Sequence, residues 1–332
     1  MNSKLDKFLV AVVFLGAVLI DVLYLIDQRG KEPTLAPNES PGDGQVSLPS
    51  PTPKPTATPI VPPAQAQHPG DLAYFYGDWQ TARSQYQQTL NQSTAPGELS
   101  AALLGLGKTT YQQGDYQKSL DYLRDLITNY PEAEVLPQAY IALADTYRAL
   151  NRHLEEADAY SSYQLLRPGL IDRYVFTRKG DALSQAGQHQ AAITAYQRAL
   201  AAEGSGEDLA IQVKIGQEYV ALDDHQTAVV IFQDVYSQST NDYQKAQADY
   251  LLGQSFQALD QPDQAGKAYL DAVQNYPLSY DSYLALVALI ENGVPVNDLD
   301  RGLVDYFAGQ YSLAVEAFDR YLANPEADDP GT

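Results

Sequence analysis

The sequence predicts an all-α fold, a solenoid of helix–turn–helix repeats, on three observations. A small residue recurs at Ala82, Ser119, Ala157, Ala192, Ala228, Ala265 and Ala314, with gaps of 37, 38, 35, 36, 37 and 49. A period between about 20 and 50 residues marks a repeat array. Around each of these positions apolar and small side chains return at spacings of three, four and seven, which trace one face of a helix. Turn residues such as Gly77-Asp78 and Gly114-Asp115 sit where one helix should stop and the next begin. In such an array function resides in extended surfaces.

Residues 1–7 form a short tail. The run from Phe8 to Ile26 is 19 residues long with Asp21 as its only charge, close to the roughly 20 residues that cross a bilayer. Asp21 lies near the far end, within reach of the headgroups. No small-x-small cleavage motif follows closely, so an uncleaved signal anchor over 8–26 is preferred to a cleaved secretory signal. A short head and a long tail put the N-terminus inside and the rest of the chain in the extracytoplasmic space. Residues 27–70 are expected to be a disordered linker. Eleven of the 38 residues from 33 to 70 are proline, which fixes φ, removes donors and cannot build a core.

The repeat domain is expected over 71–332, in about seven units. The first, 71–90, keeps its turn and second helix (Gly77, Trp79, Ala82, Tyr86), with a short or missing first helix. The second has Leu106-Gly107, Gly114-Asp115-Tyr116, Ser119 and Pro131. In the third, the turn around Asn151 to Leu154 reads as one residue longer, leaving the register of Ala157, Tyr160 and Tyr163 open. The fourth has Gly180, Gly187, Ala192 and Tyr196, and the fifth Gly216, Tyr219, Ala228 and Phe232. In the sixth, Gly253 and Ala265 let two backbones approach while Leu252, Phe256 and Tyr269 fill the space beside them. An extra helix, Tyr280–Asn292, and a break at Gly293-Val294-Pro295 precede the last unit and account for the gap of 49. After Leu322 only a short polar tail remains, so the last helix is expected to leave an apolar flank open to a second copy or a partner.

Leu-Gly, an aromatic, Gly-Asp-Tyr in the turn, then Ala, an aromatic, Ala and a closing Pro resemble the tetratricopeptide repeat. Four such matches in series make the resemblance specific, and it implies a right-handed α-superhelix. A narrower resemblance rests on Arg167–Phe176, Tyr276–Leu289 and the stretches Gly293–Val296 and Arg301–Tyr311. These look like the helical N-terminal region of soluble-type lytic murein transglycosylases, which cleave peptidoglycan through a glutamate on a separate lysozyme-like domain. No such domain follows here, so no catalytic glutamate is carried over, and what the resemblance implies is a cell-envelope context.

Acids outnumber bases 42 to 21, and nearly all of the net charge of −21 falls on the repeats. Such a surface repels phosphates and excludes nucleic acid as a general partner. With no cysteine there is no disulfide or thiolate chemistry. His153, His189 and His225 are spaced by the repeat itself. They read as turn residues roughly 20 Å apart, too far for a shared metal; His68 falls in the linker. Acid pairs such as Glu155-Glu156 and Asp223-Asp224 fall in turns and face water. No catalytic or cofactor motif is present, so no cofactor and no metal are expected.

Tyrosine is abundant, 25 in all. By their phase against the glycines, Lys108, Tyr111, Asp145, Arg148, Asp181, Gln217, Tyr250, Gln254 and Gln257 should point from the first helices to the concave side. Flat rings and amides there suit an extended peptide or a glycan chain. The sequence therefore reads as a non-catalytic, membrane-anchored extracytoplasmic scaffold, for a protein or peptide partner or for peptidoglycan or a cell-wall enzyme. The alternatives are the truncated or non-catalytic N-terminal superhelix of a peptidoglycan lytic transglycosylase and a membrane-tethered adaptor on the cytoplasmic side.

Overall fold

The computed structural model describes residues 68–203 and 208–323. Among them are fifteen helices and no strand. They pair as α1 (Pro69–Phe75) with α2 (Trp79–Gln92), α3 (Pro96–Gln112) with α4 (Tyr116–Asn129), and α5 (Leu136–Ala149) with α6 (His153–Leu166). Then come α7 (Asp172–Gln185) with α8 (His189–Ala201), α9 (Asp208–Ala221) with α10 (His225–Gln238), and α11 (Asp242–Ala258) with α12 (Pro262–Asn275). A single helix, α13 (Tyr280–Glu291), precedes the last pair, α14 (Asp298–Phe307) and α15 (Tyr311–Ala323). Each helix packs chiefly on its neighbours in sequence, as a solenoid requires.

Every pair is joined by the same three-residue turn. Its middle residue has positive φ: Gly77, Gly114, Gly187 and Gly309, or Asn151, Asp223 and Asp260. These are the residue types that enter the left-handed region at least cost. The third residue caps the second helix; the side chains of Asp78, Asp115 and Asp224 accept the N–H of Thr81, Lys118 and Thr227.

This regularity corrects the third unit. Its turn, Leu150 to Arg152, holds no extra residue, and the small-residue position falls on Glu156 rather than Ala157. The spacing around it is then as even as elsewhere. Glu156 is only 2 % exposed, held by His153 Nδ1 at 3.3 Å and Arg148 Nη1 at 4.0 Å. The opposite helix carries Ala144 where other units have glycine.

Within the remaining units a glycine on the first helix faces a large side chain sixteen residues on. A Cβ on Gly253 would lie 2.2 Å from the Tyr269 ring, on Gly180 2.4 Å from Tyr196, and on Gly216 2.4 Å from Phe232. The close approach buries Tyr196, Tyr269 and Phe232 almost completely, at about 1.5–3 kcal/mol each.

α13 packs on both α11 and α12, the place a new unit's first helix takes, and has no second helix of its own. The chain turns at Gly293 (φ 68°) into α14. On α15, Val315 and Phe318 are buried, whereas Leu313 and Leu322 are exposed.

α1 begins at Pro69, and His68 belongs to the array rather than to a linker. It caps α1 through the Gly70 N–H, stacks on Tyr86 and bonds the Thr89 hydroxyl. Burial lowers its pKa. The anchor expected over 8–26 and the linker before His68 lie outside the described residues. Among the described residues no helix is long and apolar enough to cross a membrane. The longest, α3 and α11, have 17 residues and carry charges such as Lys108, Lys245 and Asp249. Their apolar side chains form a stripe facing neighbouring helices. That does not fit a single-pass membrane protein, and the expected localisation is withdrawn.

Candidate functional site

The residues expected on the concave side share one register. Lys108, Asp145, Asp181, Gln217 and Gln254 each follow the glycine, or Ala144 in its place, by one residue; Tyr111, Arg148 and Gln257 follow it by four, and Tyr250 precedes it by three. Those offsets fall on one helical face, so the side chains form a ridge along α3, α5, α7, α9 and α11.

Two clefts open along it. The first, about 600 Å³, is walled by Tyr74, Lys108, Tyr111, Ile141, Asp145 and Tyr163, with Leu170 and Ile171 at one side. The second, about 540 Å³, contains Tyr174, Arg178, Asp181 and Lys214 and shares Leu170 and Ile171. Three ridge residues thus meet in one cleft and Asp181 enters the other. Gln217, Tyr250, Gln254 and Gln257 lie on α9 and α11, and neither cleft includes them.

Several ridge groups are already engaged. Asp181 accepts from the Tyr196 hydroxyl at 2.9 Å and from Lys214 at 2.5 Å. Gln257 accepts from Tyr269 at 2.7 Å, so both hold a core tyrosine in place. Asp145 is paired with Arg148 at 2.7 Å, and Gln254 donates to Tyr250 at 2.8 Å. Burial, with the neighbouring carboxylates, raises the pKa of Tyr160 and Tyr196. Lys108 differs: its ammonium lies 4.7 Å from the Tyr74 ring centroid, and desolvation by the cleft walls lowers its pKa.

Sequence reasoning missed Arg178, Lys214, Tyr174 and the loop residues Leu170 and Ile171. Arg178 and Lys214 precede their glycines by two residues, so a wider reading of phase would have reached them. Leu170, 75 % exposed, sits in a loop that no periodicity marks.

The three histidines open α6, α8 and α10, as their spacing predicted. They differ in partner. His189 Nδ1 lies 2.7 Å from the buried Glu218 of the next unit, whereas His225 meets the exposed Asp223 at 3.2 Å. Among the described residues no group of three His, Asp or Glu is placed to hold a metal ion.

The model of a tetratricopeptide repeat-like domain matches residues 92–218, and that of a tetratricopeptide repeat matches 247–279. The array is a solenoid with tetratricopeptide repeat-like domains. No curated protein matches the chain. Among solved structures it is similar to YrrB, described as a TPR protein with an unusual peptide-binding site, at 18 % identity over 61 % of this chain and 96 % of that one, with a TM-score of 0.47. It is similar also to MamA, at 16 % identity over 60 % and 98 % of the two chains, TM-score 0.46. BtubC from P. vanneervenii matches at 16 % identity over 67 % and 92 %, TM-score 0.43. The further resemblance to lytic transglycosylases is not carried by these matches. A tetratricopeptide-repeat array is a scaffold suited to protein–protein interaction.

Proposed function

We propose that the ridge along the first helices is a groove for an extended polypeptide of a partner protein, and that the array binds without chemistry of its own. The observation carrying this reading is the constancy of the frame beside the variety of the ridge. A small residue facing a large side chain sixteen residues on repeats from unit to unit, as glycine or Ala144 against a ring or Leu123, while the next residue changes from Lys108 to Asp145, Asp181, Gln217 and Gln254. A face built only for packing has no need of that variety. The clefts of about 600 and 540 Å³ are of the size that takes side chains of a ligand.

The test is selection of peptides from a random display library on the full chain, followed by hydrogen exchange with the enriched peptides. Slowed exchange in α3, α5, α7, α9 and α11 is the expected result. Protection confined to the second helices, or no enrichment, would refute the groove.

A further inference from the structure

The first cleft combines an apolar lining with two cations. Ile141 and Tyr111 line it beside Leu170. Its charged lining consists of Lys108, Asp145 and Arg167, and Asp145 is occupied by Arg148 at 2.7 Å. Among the described residues neither Lys108 nor Arg167 has a carboxylate within ion-pair distance; Lys108 has the Tyr74 ring at 4.7 Å and, further off, the charge of Asp71. In a chain with twice as many acids as bases, two cations without a close ion-pair partner beside one cleft make it less acidic than the rest of the surface. Neither cation is held in a close ion pair, so both are open to an anion arriving with a ligand.

Resting on the groove reading, we propose that this cleft accepts a large apolar side chain of a partner polypeptide whose neighbouring residues are Asp or Glu. The apolar side chain fills the space between Tyr111, Ile141 and Leu170. The flanking carboxylates meet Lys108 on one side and Arg167 on the other. The acidic remainder of the chain repels the same peptide elsewhere, so charge fixes where along the groove it docks.

The experiment uses the full chain and a random dodecapeptide library displayed with blocked C-termini, so that any carboxylates are side chains. The enriched peptides should carry Asp or Glu within two residues of Phe, Trp, Leu or Ile. Their affinity, read by fluorescence anisotropy, should fall at least about 10-fold with Lys108→Glu and several-fold with Arg167→Glu, and should weaken with salt. Both side chains are exposed, and unchanged circular dichroism will confirm that the variants fold. Enriched peptides that are basic or uncharged, or that bind both variants as well as the parent, overturn this assignment. If those peptides still protect the first helices from exchange, the groove stands and only the cleft's specificity falls; no enrichment removes both.

Discussion

Replacing Gly253 with alanine tests the packing rule on which the array is built. By helix propensity alone the change should stabilise α11 by about 1 kcal/mol. The geometry reverses the sign. The new Cβ would lie 2.2 Å from Tyr269 Cε1 and 2.5 Å from Cδ1 and Cζ, so ring or helix must move by more than 1 Å. Tyr269 is 1 % exposed within the largest apolar cluster and its hydroxyl is tied to Gln257 at 2.7 Å. Moving the ring therefore strains the core, at about 1–3 kcal/mol, and endangers a hydrogen bond with a net value of about 1 kcal/mol. The expected outcome is a net loss of about 1–3 kcal/mol, read as a lower urea midpoint and as faster exchange of the α11 and α12 amides. Exchange is the better probe because a repeat array need not unfold in one step.

Gly266 supplies the control. It lies inside α12, where a Cβ would meet only Val294 Cγ2 at 3.8 Å, so Gly266→Ala should stabilise. In a Tyr269→Ala background, Gly253→Ala should lose most of its cost, a coupling of about 1–3 kcal/mol for residues in contact. If Gly253→Ala stabilises as Gly266→Ala does, or costs the same without the ring, close approach is not what the glycine is for.

Asp249 is 4 % exposed, and burial together with the facing Asp271 pushes its pKa up to about 9, opposed only by Lys245. The folded state thus keeps a proton that the unfolded chain, near 3.8, releases, so this group's contribution is complete below pH 4 and is lost as pH rises towards 9. Asp249→Asn should be close to neutral only below pH 4 and increasingly stabilising from pH 5 to pH 8, by up to about 1.4 kcal/mol per unit; urea midpoints that move in parallel at pH 5 and pH 8 would count against it. His189→Ala strips the partner from the buried Glu218 and should cost about 1–3 kcal/mol, while His225→Ala, whose partner Asp223 is 96 % exposed, should cost under about 0.5 kcal/mol. Equal thermal shifts for the two would reduce all three histidines to one turn role.

The turns were legible because a positive φ accepts few residue types, and Gly, Asn or Asp stands at all seven positions. The third unit was misread because its register was taken from the nearest alanine. Counting three residues from the helix start gives Glu156 directly, but a carboxylate in a packing position contradicts the expected pattern until His153 and Arg148 are seen beside it. The ridge was legible for the same reason as the turns, since phase against a glycine is a local property. The clefts were not. Tyr74 comes from the first unit, Ile141 from the third and Leu170 from the loop beyond it, and no spacing within one repeat brings them together.

That division has a physical consequence. A solenoid fixes the angle between successive units with residues inside each unit, so those residues repeat and can be read. Its binding surface is made between units, where nothing forces repetition. Lys108 could be placed on the ridge from the sequence, yet its lack of a close ion-pair partner depends on what the neighbouring units place beside it. Had the third unit kept glycine and alanine at Ala144 and Glu156, Arg148 would have one carboxylate fewer beside it and Asp145 would remain its sole close partner. The irregular unit therefore does more than interrupt the period. Glu156 and Asp145 together hold Arg148 on the ridge of α5, and the pairing neutralises the one acid in the lining of the first cleft, leaving Lys108 and Arg167 to set the sign of the charge that a partner meets there.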